Sequence, residues 1–172
     1  DFSPRCRKEH AVQMESTSPH RTRHERISMR HINQEMKRFN HLMTETEAAY
    51  HEVSLKMGFS DSAMQILYAI CENGESCLLG DITRLSGMRK QTIGSALRRL
   101  EEDGIVFLEA AGGKAKRVCL TKRGKQVASD TVYRILEIED KIFSSWEKQE
   151  LDMYIELTRR YLAAFREETG RL

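Results

Sequence analysis

The fold of this chain is decided by residues 80–106, which read GDITRLSGMRKQTIGSALRRLEEDGIV. Within them, Asp81–Ser86 predicts a short helix, and Gly87 turns the chain. A longer helix is predicted over Arg89–Asp103, and Gly104 ends it. Its apolar residues follow the i, i+3, i+4, i+7 spacing of one buried helix face, namely Ile93, Ala96, Leu97 and Leu100. Two helices joined by a tight turn predict a helix-turn-helix.

The opposite face of the longer helix is polar and cationic. Because successive residues turn by about 100° around a helix, this face presents Gln91, Ser95 and Arg98. Side chains of these types can reach base edges in the major groove of DNA. The face is flanked by further polar and basic residues that we predict to contact DNA, namely Arg89, Lys90, Thr92 and Arg99.

Two short strands are predicted next, over Ile105–Glu109 and Lys116–Thr121, because both segments are rich in β-branched and apolar residues. Between them, Ala110–Ala115 is a turn of small residues in which Gly112-Gly113 supplies positive φ. The tip of this hairpin carries basic residues, namely Lys114, Lys116 and Arg117. A helix-turn-helix followed by such a hairpin predicts a winged helix-turn-helix, whose wing can neutralise phosphates or enter a narrow minor groove.

The basic residues of the chain are concentrated in this region. The 172 residues have a net charge of +2, whereas residues 84–125 hold eleven basic and four acidic residues, a local charge of +7. Such a block is typical of a protein that binds a polyanion, although a solvated basic face has the same composition. Winged helices also occur as protein-binding modules, and the local charge favours nucleic acid over that alternative.

A heptad stripe precedes the winged region and predicts one helix of about 30 residues, roughly 45 Å long. Its members recur every seven residues in two interleaved series: Met29, Met36, Met43, Tyr50 and Met57, and Ile32, Phe39, Thr46 and Val53. Gly58 ends this helix, and Ser60 is placed to cap the next one. A stripe this long needs a long partner helix, and at this spacing core packing is favoured over a methionine-lined ligand pocket.

Apolar helices also follow the wing. Thr121 can cap a long helix that continues to Phe143, and Ser144-Ser145-Trp146-Glu147 predicts a break with a capping box. Together with the heptad stripe, these helices predict that two subunits pack around a two-fold axis. The residues assigned to this dimer contact are Met29, Ile32, Met36, Phe39, Trp146, Tyr154, Tyr161 and Phe165.

The predicted fold class is mainly α with a small β-hairpin wing, a winged helix-turn-helix with N- and C-terminal dimerisation helices. Residues 60–121 are predicted to be the DNA-binding domain. Residues 28–58 and 122–172 form the predicted dimerisation region, and residues 1–25, which lack hydrophobic periodicity, a disordered segment.

Composition and motifs exclude several other classes. No apolar run approaches the about 18 residues that a membrane span needs, and the first 30 residues contain no signal-peptide core, so a cytoplasmic protein is expected. The cysteines (Cys6, Cys71, Cys77 and Cys119) lack zinc-finger spacing, and the six histidines lie in the first third of the chain. Without a nucleophile–base pair or a phosphate loop, we expect no enzyme, no metal and no cofactor.

The order of these elements resembles the MarR family of bacterial transcriptional regulators. The resemblance covers about residues 28–170 and includes GFSDSAMQILYAICENG (58–74), the stretch quoted above, and KRVCLTKRGKQVA (116–128) with its Leu120-Thr121-x-x-Gly124 motif. It implies a homodimer that binds pseudo-palindromic operators. Many members release DNA when they bind a small ligand or when a cysteine is oxidised, so a small-molecule effector is an implied partner.

Two positions depart from the family pattern. Gly112 and Gly113 stand where the family usually has an Asp and an Arg at the wing tip, and Lys114 follows them. Arg89 stands where a Ser or Thr often caps the recognition helix, which forgoes a side-chain cap worth about 1 kcal/mol. The first long helix has no cysteine between Met29 and Met57, so oxidation is not expected to be the switch.

The sequence therefore predicts a dimeric DNA-binding transcriptional regulator, most often a repressor, whose partners are double-stranded DNA and a second copy, with no membrane. The alternative is a winged-helix interaction module without specific DNA binding, which the altered wing makes credible.

Overall fold

The computed structural model describes residues 33–172. The predicted disordered segment, residues 1–25, therefore lies outside the described residues, as do the predicted dimer contacts Met29 and Ile32. Within the described residues, 33–45 and 46–172 belong to two separate units. The first helix runs through the boundary between them, and the second unit contains the complete winged region.

Seven helices and three strands follow one another in the described part of the chain. In order they are α1 (Gln34–Lys56), α2 (Asp61–Glu72), β1 (Ser76–Leu78), α3 (Leu79–Ser86), α4 (Lys90–Glu102), β2 (Val106–Ala110), β3 (Lys116–Leu120), α5 (Lys122–Asp130), α6 (Val132–Ser144) and α7 (Lys148–Thr169). This is the predicted fold class, a mainly helical chain with a small antiparallel sheet.

Helix α1 is 23 residues long in the structure, and the predicted start of this helix at Met29 lies outside the described residues. It begins at Gln34, where the Asn33 side chain accepts a hydrogen bond of 2.9 Å from the Glu35 amide. The C-terminal members of the heptad stripe, Val53 and Met57, pack against the core of the second unit.

Helix α2 forms the centre of the core in the second unit. The predicted cap is confirmed, because the Ser60 hydroxyl accepts a hydrogen bond of 3.3 Å from the Ala63 amide. Seven of the twelve residues of α2 are buried. The largest fully buried side chains come from five elements of the unit and share one cluster: Ile66, Leu67, Ile70, Ile82, Leu100, Val118 and Val132.

The sheet contains a strand that the sequence analysis did not predict. Strand β1 pairs antiparallel with β3, which also pairs with β2, so the strand order is β1-β3-β2. Cys77 lies in the middle of β1, opposite Val118. A three-residue strand is too short to show the alternation by which strands are recognised in a sequence.

The Leu120-Thr121-x-x-Gly124 motif fixes the start of α5 against the sheet. As predicted, Thr121 caps the helix, its hydroxyl oxygen accepting a hydrogen bond of 2.9 Å from the Gly124 amide. The same hydroxyl donates to the Gly104 carbonyl at 2.6 Å. A Cβ at Gly124 would lie 1.9 Å from the Ile105 carbonyl oxygen, so this close approach requires glycine.

The predicted single helix after Thr121 is wrong, because the structure divides it into α5 and α6 at Thr131. Thr131 is buried and has φ −128° and ψ −85°, and its hydroxyl donates to the Val127 carbonyl at 2.6 Å. A threonine hydroxyl that bonds the preceding turn can bend a helix, and the φ and ψ of Thr131 lie outside the helical region.

The predicted break before the last helix is present, but its capping box differs from the predicted one. Glu147 is the N-cap of α7 and exchanges side-chain and backbone hydrogen bonds with Glu150. None of the 22 residues of α7 is buried within the single chain. Across residues 33–172, no helix is both long enough and apolar enough to cross a membrane.

Candidate nucleic-acid interface

Helix α4 is held in place by the four residues predicted to be its buried face. Ile93, Ala96, Leu97 and Leu100 are all buried and join the core cluster. The helix begins without a side-chain cap at Arg89, as the sequence indicated. The first amides of α4 therefore keep hydrogen-bonding capacity at the end of the helix that favours anions.

The outer face of α4 is open to a binding partner. The residues predicted to contact DNA on this helix are all exposed, namely Arg89, Lys90, Gln91, Thr92, Ser95, Arg98 and Arg99. The Ser95 hydroxyl donates to the Gln91 carbonyl at 3.1 Å. In this geometry Ser95 offers its oxygen to an incoming group as an acceptor, whereas Arg98 offers only donors.

A tight turn joins α3 to α4. Gly87 adopts the left-handed conformation, with φ 63° and ψ 4°, which ends α3 and redirects the chain. The Ser86 hydroxyl accepts a hydrogen bond of 3.3 Å from the Met88 amide across this turn. The two helices of the predicted helix-turn-helix are therefore connected by three residues, 87–89.

The wing tip is a glycine turn that presents lysines. Gly112 and Gly113 have φ of 96° and 54°, the positive values expected from the sequence. The Ala115 amide donates to the Gly112 carbonyl at 3.0 Å and closes the turn. Lys114 and Lys116 are exposed, so the tip carries two accessible ammonium groups next to the glycines.

Arg117, which the sequence analysis places in the second strand and at the tip, lies in β3 between β1 and β2. It is opposite Leu78 of β1 and Glu109 of β2 and is only partly exposed. Its guanidinium lies 3.8 Å from the Glu109 carboxylate and donates to the Ser76 hydroxyl at 3.4 Å. These contacts occupy part of its hydrogen-bonding capacity, so the lysines are the wing's more accessible cations.

One cleft unites the recognition helix and the wing. It has a volume of about 620 Å³ and lies between α3, the start of α4 and the wing tip. Lys90 of α4 lines it together with Lys114 and Lys116 of the wing. Leu79 and Ile93 form part of its apolar floor. Lys90 of the helix and the two lysines of the wing thus face a common surface.

A second cavity contains contacts that sequence reasoning missed. It has a volume of about 560 Å³ and lies between α1, α2 and α6 within the second unit. Glu139 of α6 accepts hydrogen bonds from the hydroxyls of Tyr50 and Tyr68, one on each carboxylate oxygen. In the sequence, Glu139 is 89 residues from Tyr50 and 71 residues from Tyr68, so no local pattern could have indicated these contacts.

Burial and Glu139 together disfavour ionisation of both tyrosines. Burial, followed by the hydrogen bond to Glu139, raises the pKa of Tyr50 to about 12. The same two causes raise the pKa of Tyr68 further above its ordinary value. Both phenols are therefore donors to the carboxylate at neutral pH.

The cysteines of the second unit are buried free thiols, namely Cys71, Cys77 and Cys119. Burial raises the pKa of Cys71 to about 11, and it also raises the pKa of Cys77 and Cys119. Cys119 lies opposite Ser76, so it points to the other face of the sheet from the neighbouring Cys77. Buried thiols whose pKa is raised are poorly reactive, which is typical of cysteines with a structural role.

Residues assigned to the dimer contact are exposed along two helices of the chain. Met36 and Phe39 lie on α1 in the first unit, and Tyr154, Tyr161 and Phe165 lie on α7 in the second. Trp146 packs edge-on against Tyr154, with ring centroids 5.3 Å apart. Among residues 33–172, no group of three or more His, Cys, Asp or Glu side chains is placed to hold a metal ion.

An exposed cationic helix, a tight turn before it and a basic hairpin after it define the class of winged helix-turn-helix proteins. Residues 57–117 match the sequence model of the MarR family. The resemblance to this family is therefore confirmed, and the fold is that of MarR-family transcriptional regulators. No curated protein matches the chain.

Solved structures with the same fold include NMB1585, a MarR family regulator from Neisseria meningitidis, at 16% identity and a TM-score of 0.66 over 81% of this chain and 98% of that one. The DNA complex of MepR from S. aureus matches at 16% identity and a TM-score of 0.57, and the match covers 74% of this chain and 94% of MepR. BpsR from Bordetella bronchiseptica, whose DNA binding is regulated by 6-hydroxynicotinic acid, matches at 16% identity and a TM-score of 0.54, over 72% and 98%.

Proposed function

We propose that this chain is a sequence-specific DNA-binding transcriptional regulator, acting as a repressor in the cytoplasm without enzymatic activity. The observation that carries the proposal is the common basic surface of Lys90, Lys114 and Lys116 beside the exposed polar face of α4. A helix of this kind fits the major groove, while a basic wing reaches the neighbouring backbone or minor groove. That MepR was solved with DNA supports this assignment.

The residues of the interface divide by the contact their chemistry favours. Gln91, Ser95 and Arg98 lie on the outer face of α4 and are assigned to base edges. The remaining cations at the start and side of the helix, Arg89, Lys90 and Arg99, are assigned to phosphates, with Thr92 beside them. Lys114 and Lys116 are assigned to phosphates at the wing, with Arg117 contributing charge from within the sheet.

A homodimer completes the proposal. Residues 28–58 and 122–172 supply the dimerisation region, and residues 60–121 supply the DNA-binding domain. Exposed apolar side chains along α7, such as Ile155 and Phe165, support this assignment because so large an apolar surface is typical of an interface. A two-fold axis would present both recognition helices to one face of DNA, so the operator is an inverted repeat.

The direct test titrates the full chain with DNA flanking its own gene and with random DNA of equal length, at several salt concentrations. Specific binding predicts an affinity for one flanking fragment about 10³-fold or more above that for random DNA. Equal affinities would contradict sequence-specific recognition.

The alternative is a winged-helix interaction module without specific DNA binding. The glycine tip at Gly112-Gly113 favours it, because the wing lacks the arginine that the family usually inserts there. This alternative would be supported if the chain bound neither DNA at any salt concentration in the titration above.

Regulation by a small-molecule effector is the last part of the proposal. It is supported by BpsR, whose DNA binding responds to 6-hydroxynicotinic acid. In this chain the cavity between α1, α2 and α6, with a volume of about 560 Å³, is large enough for a small organic molecule, since ligand pockets are typically about 300–1,000 Å³.

A further inference from the structure

The cavity between α1, α2 and α6 has walls of mixed chemistry. Met64 and Ile135 provide apolar surface, and the rings of Tyr50 and Tyr68 provide aromatic surface. These groups would cover the hydrophobic body of a small ligand. The polar lining, by contrast, is dominated by acceptors and negative charge.

Carboxylates set the charge of this cavity. Glu47, Asp61 and Glu139 line it, and within residues 33–172 its lining includes no lysine or arginine. Asp61 is paired with His51, whose Nδ1 lies 2.7 Å from its carboxylate oxygen. Glu47 and Glu139 have no basic partner within ion-pair distance in the described part of the chain.

Glu139 is held with unused acceptor capacity. A carboxylate has about four lone-pair positions, and the two tyrosine hydroxyls occupy one on each oxygen. The hydroxyls come from α1 and α2 and fix the orientation of a side chain from α6. An ordered carboxylate with free lone pairs, flanked by two aromatic rings, is suited to an ammonium group through charge-assisted hydrogen bonds and cation–π attraction.

We propose that this cavity binds an organic cation, an amine with a hydrophobic or aromatic body, whose ammonium group is anchored by Glu139. Glu47 adds long-range attraction at the cavity, while Met64 and Ile135 contact the apolar body. A carboxylate-bearing ligand is disfavoured, because its charge would meet Glu139 and Glu47 with no lysine or arginine in the lining to offset them, and His51 is already paired with Asp61. This proposal rests on the effector part of the proposed function, whereas the binding of the ligand does not depend on DNA recognition.

Three probes of similar size isolate the charge preference. Calorimetric titration of the full chain, without DNA, uses benzylammonium, benzyl alcohol and benzoate. We expect benzylammonium to bind about tenfold or more tightly than benzyl alcohol, and benzoate to bind more weakly than either. Benzoate binding as tightly as benzylammonium, or no binding of any probe, would overturn the proposal.

Matched variants then assign the anchor. Glu139→Gln keeps the shape of the side chain and removes its charge, so benzylammonium affinity should fall about tenfold while benzyl alcohol affinity changes less than about twofold. Glu137→Gln makes the same charge change at an exposed position of α6 outside the cavity lining and should leave both affinities unchanged. Equal effects of the two variants would refute the anchor.

A second variant keeps the proposal testable if Glu139→Gln unfolds. Glu47 is an exposed residue of the cavity lining, and Glu47→Gln should lower the affinity for benzylammonium by about threefold. The affinity for benzoate should not fall. An unchanged benzylammonium affinity in this variant would count against the charge argument. Failure of the full chain to bind any DNA would contradict the proposed function but would leave these calorimetric results interpretable.

Discussion

Arg98 lies exposed on the outer face of α4, beside Gln91 and Ser95. If the Arg98 side chain makes a bidentate contact with a base, Arg98→Ala should weaken binding to the operator by about 1–3 kcal/mol. Binding to random DNA should be weakened much less. Fluorescence anisotropy with both DNAs at one salt concentration measures the difference. The neighbouring Arg99→Ala, assigned to a phosphate, is the control and should weaken both DNAs to a similar extent. An equal effect of Arg98→Ala on the two DNAs would move Arg98 to the phosphate-contacting group.

Tyr50 and Tyr68 predict how stability depends on alkaline pH. Burial and Glu139 raise the pKa of Tyr50 to about 12 and that of Tyr68 also above its ordinary value of about 10. Above about pH 10 the unfolded chain loses these protons before the folded chain does, so the free energy of unfolding falls as pH rises toward 12. The Tyr50→Phe/Tyr68→Phe double variant should show a shallower fall, measured by urea unfolding from pH 8 to pH 12. If the free energy of unfolding fell equally steeply with pH in the unaltered protein and the double variant, the link between tyrosine ionisation and stability would be contradicted.

Individual residues were predictable only where local periodicity places them. The exposure of Gln91, Ser95 and Arg98 follows from the apolar spacing on α4, and the structure places all three outside. Glu139 meets Tyr50 across the chain, and no local pattern encodes that meeting. The contacts of Arg117 were not predicted, because strand register, which sets it opposite Glu109, depends on pairing partners rather than on its own neighbours.

The wing gives a prediction about the salt dependence of binding. Lys114→Ala/Lys116→Ala should flatten the plot of log affinity against log salt by about 0.9 for each phosphate interaction that the substitutions remove. The control Lys56→Ala/Lys148→Ala removes the same charge from exposed positions on α1 and α7, outside the winged region, and should leave the slope unchanged. Affinity measured between about 50 and 200 mM salt tests both variants. Identical slopes for the wing variant and the unaltered protein would show that the wing does not touch DNA.

Elements with a clear apolar pattern and glycines at their boundaries were predicted well, and very short or interrupted ones were not. Helix α4 and the two strands of the wing lie within a residue or two of their predicted bounds. Strand β1 is stabilised by pairing with β3, a contact that only the folded chain supplies. The break at Thr131 is similarly hidden, because apolar spacing continues through it to Val132 and Ile135, both buried.

The core limits how the proposed dimer can be tested. Val132 and Ile135 of α6 belong to the core of the second unit, so removing every residue after α5 would damage the winged region itself. Helix α7, in contrast, has no buried residue and exposes Tyr154 and Phe165. Substitutions on α7 in the full chain therefore separate dimerisation from folding better than a truncation does.

The double variant Tyr154→Glu/Phe165→Glu places charges on the exposed apolar face of α7 and should convert the dimer to a monomer, because burying unpaired carboxylates in an interface is costly. Two half-sites about 34–36 Å apart then bind separately, so operator affinity falls steeply while circular dichroism stays unchanged. Arg160→Glu changes the net charge equally, and its position is turned by about 120–140° around the helix from both residues. It should remain dimeric and bind normally. Sedimentation measures the oligomeric state of both variants, and operator titration measures their affinity. If the double variant is monomeric and still binds the full operator with undiminished affinity, the two-fold arrangement is excluded.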